Sequence, residues 1–423
     1  MQRKSTENSP EISSKTTSKI SPNTILELHQ SSGRVRRGES FCPARFRACR
    51  SHTVFGLQGP LKSSIEKTDA QVLIPQVPTL MKCKFDKIYQ LGDSLSDTGN
   101  FIRESLVGAF SPFAKLPYGE NFFQNKSTGR CSDGLLMIDF IALECGLPFL
   151  NPYKDQNGNF THGANFAVAG ATVLPGEIMA EKKISNSVTN SSLNVQLDWM
   201  SSHFKSTCST ECSEDLKKAL FLVGEIGGNE FNYGLLQGKP MEELRAMVPE
   251  VVQTIINAVK TIIGFGAVRI VIPGNFPIGC IPNLLTTFLT NNSTAYDDNH
   301  CLKDLNDLAI LYNHHLQKAI QELKKGHPNI TLVYGDYYNA YLWLLQNAAN
   351  LGFDKNSLLK ACCGIGEKYN YDKNRICGAP GLQICTDPST YISWDGIHLT
   401  QQAYKWLARW LIDNMLPKLK CQA

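Results

Sequence analysis

Several features are missing from this sequence of 423 residues, and each absence narrows what the chain can be. No apolar run approaches the roughly 18 residues that span a bilayer, so no transmembrane segment is expected and the chain reads as soluble. The formal net charge is only +4, and much of that excess falls in the first 80 residues. So small and so placed a charge provides neither a nucleic-acid groove nor a polybasic membrane patch in the body. The opening stretch MQRKSTENSPEISSKTTSKISPNT has no apolar core and is not a secretory signal. Residues 1–83, rich in Ser, Lys and Arg and poor in aromatics, are expected to form a disordered extension. A transit peptide, or a stretch added by a mis-assigned start, are the other readings of it. The motif G-x-S-x-G is absent, which excludes the nucleophile elbow of the α/β-hydrolase fold. There are no internal repeats.

Cysteine, by contrast, is plentiful. Twelve of the 14 cysteines follow residue 80, in close-set groups: Cys208 and Cys212, Cys280 and Cys301, then Cys362, Cys363, Cys377 and Cys385. This density points to disulfides and an oxidising compartment. Zinc is the rival for the last four, but C-x-x-C pairs and a nearby His ligand are missing. Asn125, Asn159, Asn190, Asn291, Asn292 and Asn329 each head an N-x-S/T glycosylation triplet. Together these features place the body in the secretory pathway, extracellular or vacuolar.

From about residue 84 the pattern alternates between strand and helix. Ile88–Leu91, Ala219–Val223, Val268–Ile272 and Ile330–Tyr334 read as buried strands. MVPEVVQTIINAVKTIIGFG reads as a helix stopped at Gly264, and CLKDLNDLAILYNHHLQKAIQELKKGHP as an amphipathic helix stopped by Gly326 and Pro328. THGANFAVAGATVLPG reads as a small-residue loop near a helix start. A last helix is expected from about Gln401 to Leu416, with Thr400 as its N-cap. Such alternation predicts parallel βαβ units and one three-layer α/β/α domain over residues 84–423.

Candidate chemistry lies where strands end. QLGDSLSDTGN leaves the first strand through Gly92, Asp93 and Ser94; it is either a plain turn or a nucleophile held at a sheet edge. SWDGIHLT places Asp395 three residues before His398, which suits a carboxylate orienting an imidazole base. The competing reading has Asp395 capping backbone amides. Ser, Asp and His together form an activated-nucleophile set. EIGGNE supplies Gly227, Gly228 and the amide of Asn229, and AVAGAT places Gly170 at a tight turn; both suit oxyanion donors, or else simple glycine turns.

The blocks GDSLSDTGN, NFAVAGAT, IGGNE and WDGIHLT, in that order, resemble those of the plant GDSL esterase/lipase family within the SGNH hydrolases. The resemblance runs from about Phe85 to Cys421. It implies a flavodoxin-like α/β/α fold with a mostly parallel sheet, Ser94 as nucleophile, His398 as base and Asp395 as its partner. It implies an oxyanion hole of the Ser94 and Gly170 amides with the Asn229 side chain, and gives Asp93 a turn-shaping role. The third block departs from the family's Gly-x-Asn-Asp, with Glu230 in the last position.

The expected function is therefore hydrolysis of a carboxylic ester through an acyl-enzyme. A short acyl group, acetyl, on a plant specialised metabolite is the expected substrate, with no metal or organic cofactor and no nucleic-acid partner. An acyltransferase using the same triad and a non-catalytic binding protein are the alternatives. His314 and His315 read as helix positions, and His162 as structural in preference to lining a pocket. Phe113, Tyr118, Phe122 and Phe123 read as buried core in preference to a substrate-facing loop.

Overall fold

The computed structural model describes residues 79–186, 188–207 and 212–421. The expected extension lies outside them up to residue 78, and so does Cys208. Residues 79–83, placed in that extension by the sequence reading, form a 3-10 turn (Thr79–Cys83) with Leu80 fully buried.

Among the described residues five strands form one sheet: β1 (Lys87–Leu91), β2 (Gly163–Asn165), β3 (Ala219–Val223), β4 (Arg269–Pro273) and β5 (Thr331–Gly335). Their order is β2-β1-β3-β4-β5 and every pairing is parallel. In the β1–β3 register, Lys87 lies opposite Ala219 and Leu91 opposite Val223. Four strands match the expected apolar runs to within a residue. The fifth, β2, falls inside the stretch read as a loop; three residues beginning with Gly163 carry no apolar run to announce it.

The described helices of eight residues or more are α1 (Met137–Glu144), α2 (Leu193–Thr207), α3 (Asn229–Leu236), α4 (Met241–Phe265), α5 (Lys303–Gly326), α6 (Tyr337–Gln346) and α7 (Gln401–Met415). Alternate strand residues feed two cores. Tyr89, Phe221, Val223, Ile270 and Ile272 join the apolar faces of α2, α3, α4 and α5. Ile88, Leu220, Leu222, Val271 and Val333 join α1, α6 and α7. A strand covered on both faces is apolar at nearly every position, so these strands appear as near-continuous runs, and the buried exception, Gln90, donates to the carbonyls of Leu91 and Gly224.

α4 is long and apolar enough by composition to cross a bilayer, contrary to the expectation that nothing in the chain is. Its stripe from Leu244 through Val248, Val251, Ile255 and Val259 to Ile262 is buried in the first core. It ends at Gly266, not Gly264: Gly266 takes φ +111°, and its N–H reaches back to the carbonyls of Ile262 and Ile263. At the start of α7, Thr400 caps as expected, its Oγ1 accepting the Ala403 N–H at 3.2 Å.

Four disulfides join described cysteines: Cys83–Cys421, Cys280–Cys301, Cys362–Cys385 and Cys363–Cys377. Cys362, Cys363, Cys377 and Cys385 are thus paired with one another as disulfides. Cys131 and Cys145 are buried free thiols. Burial pushes Cys145 up to about 12 and Cys131 well above its ordinary value, so neither is a reactive thiolate.

β1 lies between β2 and β3, so the chain leaves it to one side and later returns to the other. Crevices in open parallel sheets form at such a switch point, beyond the carboxyl ends of the strands. The loops after β1 and β3 meet there.

Candidate active site

The loop after β1 is a turn and also the support of the buried Ser94 hydroxyl at the sheet edge. Gly92 is gripped by Gln196, whose Oε1 accepts the Gly92 N–H at 2.9 Å while its Nε2 donates to the Gly92 carbonyl at 2.8 Å. A Cβ at Gly92 would lie 2.9 Å from the Glu225 carbonyl oxygen, so only glycine lets the two strand ends approach. Asp93 donates its N–H to that carbonyl at 3.1 Å and accepts the Leu95 N–H on Oδ1 at 3.0 Å. Asp97 then gathers four amides: Gly99 and Asn100 on one oxygen, Phe101 and Ala169 on the other. Asn100 donates to the carbonyls of Asn165 and Ala167, both at 2.8 Å. The first and second sequence blocks are therefore locked into one unit, with Ser94 at its edge.

The last block supplies the rest. Asp395 Oδ1 accepts the Ile397 and His398 N–H groups at 2.9 and 2.7 Å, so the capping reading holds. Its other oxygen also meets His398 Nδ1 at 2.7 Å, while His398 Nε2 lies 2.8 Å from Ser94 Oγ. One carboxylate thus fixes both the turn and the ring. Tyr118 O–H donates to the same Asp395 Oδ2 at 2.8 Å, and the Phe113 ring stands edge-on to the imidazole at 5.6 Å. Burial alone would raise the Asp395 carboxyl; the charge of His398 and the hydrogen bonds from His398 and Ile397 outweigh it and hold the group at about 2. The carboxylate therefore stays ionised wherever the imidazole is needed.

Around Ser94 the donors are backbone groups. The N–H groups of Ser94 and Gly170 have no hydrogen-bond acceptor among the described residues. Gly170 has φ +82°, and a Cβ there would strike the Val188 side chain at 2.4 Å, so this position demands glycine twice over. The Asn229 amide donates to the Ala171 carbonyl at 2.9 Å and, more loosely, to Asp93 Oδ2 at 3.3 Å. Glu230, the departure from the usual Asp, is fully buried and braces the second block: its Oε1 accepts the N–H groups of Val173 and Leu174. Its other oxygen has no hydrogen-bond partner among the described residues. Burial pushes the Glu230 carboxyl up to about 7, with the amides of Leu174 and Val173 opposing. A cavity of about 60 Å³ opens beside Ser94, walled by Leu95, Phe276, Ile278, Ile281 and Leu284 as well as Asn229 and His398.

Other candidates sit elsewhere. His162 is exposed, with Nδ1 3.1 Å from the Asp86 carbonyl oxygen, and does not line the cavity. His314 is exposed and His315 half-buried on α5. Of the four aromatics read as buried core only Tyr118 is buried: Phe113 and Phe123 are half-buried and Phe122 is exposed, Phe122 and Phe123 packing with Phe149 at the surface, whereas Phe113 and Tyr118 reach the His398–Asp395 pair. All six glycosylation triplets present an exposed Asn. The contact sequence reasoning missed is Tyr118 to Asp395, made across 277 residues and announced by no local pattern.

A parallel sheet covered by helices on both faces and carrying these blocks at its strand ends places the chain in a known class. It belongs to the GDSL-like lipase/acylhydrolase family, whose model matches residues 88–411, and it is an ester-bond hydrolase. Among its relatives, acetylajmalan esterase of Rauvolfia serpentina is 47% identical over 341 residues, or 80% of this chain and 88% of that protein. Acetylajmalan esterase 2 of the same plant is 44% identical over 353 residues, covering 83% of this chain and 96% of that protein. A GDSL esterase/lipase of Arabidopsis thaliana is 42% identical over 341 residues, covering 80% and 92%.

Proposed function

We propose that the chain removes a short acyl group, acetyl foremost, from a plant specialised metabolite, with Ser94, His398 and Asp395 as its catalytic triad. The observation that carries this reading is the unbroken hydrogen-bonded relay from Ser94 Oγ through His398 to Asp395. His398 Nε2 takes the Ser94 proton as Oγ attacks the ester carbonyl carbon. The electron pair displaced onto the carbonyl oxygen is met by the Ser94 and Gly170 N–H groups. The Asn229 amide joins them by sharing with the oxyanion the hydrogen of its longer bond to Asp93, which keeps the amide oriented. Collapse of the tetrahedral adduct expels the alcohol, which leaves with the proton from His398. Water then attacks the acyl-Ser94 ester with His398 again as base, and the acid departs.

Two observations support the short acyl group. The cavity beside Ser94 is small, about 60 Å³, and its apolar wall of Leu95, Phe276, Ile278, Ile281 and Leu284 suits a short acyl group. Relatives with 44–47% identity are named for an acetylated substrate. The test is hydrolysis of p-nitrophenyl esters of increasing acyl length, with the products analysed for acid. Activity should fall steeply from acetyl to long acyl. Equal activity along the series would refute the short-acyl assignment, and acyl transfer to an added alcohol at the expense of free acid would replace hydrolysis by transfer.

A further inference from the structure

The ionisable side chains that line the cavity at Ser94 are Asp93, Glu225 and His398, and the reaction above has no task for Glu225. Glu225 is 3% exposed and lines the same cavity as Asp93, whose N–H donates to the Glu225 carbonyl at 3.1 Å, and the two carboxyls are within hydrogen-bonding reach of each other. Two carboxylates that close in a buried site cannot both remain ionised, so the pair holds a proton. The donors around them show where it resides. Asp93 accepts an N–H on each oxygen, from Leu95 and from Asn229. The Glu225 carboxyl receives no N–H among the described residues, so Glu225 carries the proton and donates it to Asp93.

Resting on the reading of Ser94 and Asn229 above, we propose that protonated Glu225 is a positioning residue for ester hydrolysis: it fixes the Asp93 carboxylate, and through it the Asn229 amide. The proton also keeps the pair at a single negative charge, so a second one does not oppose the developing oxyanion. The groups facing Glu225 are Asp93 from the first loop, Glu230 on α3, Tyr312 on α5 and Tyr337 on α6, with Asp97 and His398 beyond Asp93. No Lys or Arg among the described residues lines the cavity to neutralise a second carboxylate. As pH rises and Glu225 loses its proton, Asp93 is repelled, Asn229 is freed and turnover falls. Glutamine keeps a donor toward Asp93 at every pH and removes that fall.

The test compares the wild type, Glu225→Ala and Glu225→Gln for kcat and KM on p-nitrophenyl acetate between about pH 5 and 10, with phosphonate labelling and thermal unfolding alongside. Glu225→Ala should lower kcat roughly 10- to 100-fold with KM changed less than about threefold. Glu225→Gln should restore most of that loss, with the alkaline limb of the profile moved up by about one pH unit or more. Superimposable wild-type and Glu225→Gln profiles, or an alanine effect confined to KM, would overturn the proposal. Where Glu225→Ala fails to fold, the Glu225→Gln profile decides. Labelling separates the two readings: a wild type not labelled at Ser94 sinks the hydrolytic mechanism, whereas a labelled wild type matched in kcat by Glu225→Ala sinks this inference alone.

Discussion

Two cavities of this molecule make opposite cases for attention. One, of about 660 Å³, lies between Tyr296, Leu358, Leu359, Lys368 and Tyr369; the other, beside Ser94, is about 60 Å³. Size favours the first, and a large apolar pocket is the usual starting guess for a ligand site. Its polar groups nevertheless do not converge. Lys355, Lys368 and His300 are exposed, and Lys368 already lies over the rings of Tyr296 and Tyr369 at 5.3 and 5.1 Å. The small cavity draws a hydroxyl, an imidazole, two carboxyl groups and an amide from the loops after β1 and β3 and before α7. Chemistry follows convergence of polar groups at a sheet edge, and a volume by itself does not find it.

The largest effect that would sharpen this contrast is at Asn229. On the proposed mechanism, in which the amide meets the oxyanion and not the resting ester, Asn229→Ala should lower kcat by roughly 10² to 10³ with little change in KM. A change mainly in KM would move Asn229 into ground-state binding.

Glu230 offers a smaller effect, read in stability. Its folded carboxyl titrates at about 7, above the ordinary carboxyl range. Between pH ~4 and ~7 the folded state therefore binds more protons than the unfolded one, and stability falls as pH rises through that window. Glu230→Gln mimics the protonated acid. Its stability, read from thermal unfolding, should match the wild type near pH 5 and exceed it near pH 8 by about 3 kcal/mol or less. Parallel melting curves across that range would show that Glu230 does not titrate there.

The smallest effect belongs to the large cavity. Lys368→Ala should leave kcat/KM on p-nitrophenyl acetate within about twofold of wild type, as substitutions remote from the chemistry usually do. A large loss would break the comparison and bring that cavity into the reaction.

What the sequence disclosed depended on whether the cause was local. The strands of both cores show as apolar runs because each residue is covered, and Asp395–His398 shows because the turn that caps and the hydrogen-bonded carboxylate–imidazole pair are the same four residues. β2 was hidden because its three residues pair by backbone alone. The helix stop at Gly266 was displaced to Gly264 because both are glycines past an apolar stripe, and only φ distinguishes them. Gln196 on Gly92, Tyr118 on Asp395 and Glu230 on Val173 and Leu174 span 56 to 277 residues. These contacts hold the site in shape, and no spacing in the chain encodes them. Glu230, conspicuous in sequence as a departure, proves to be the brace of the loop that carries Gly170.

The central claim is that Ser94 is the nucleophile, and covalent capture tests it most directly. The protein would be treated with a fluorophosphonate, digested, and the modified residue located by mass spectrometry, with Ser94→Ala treated in parallel. The account predicts a single adduct, on Ser94, and no adduct in a folded Ser94→Ala protein that has also lost esterase activity. Labelling at another residue, or turnover retained by Ser94→Ala, would contradict it.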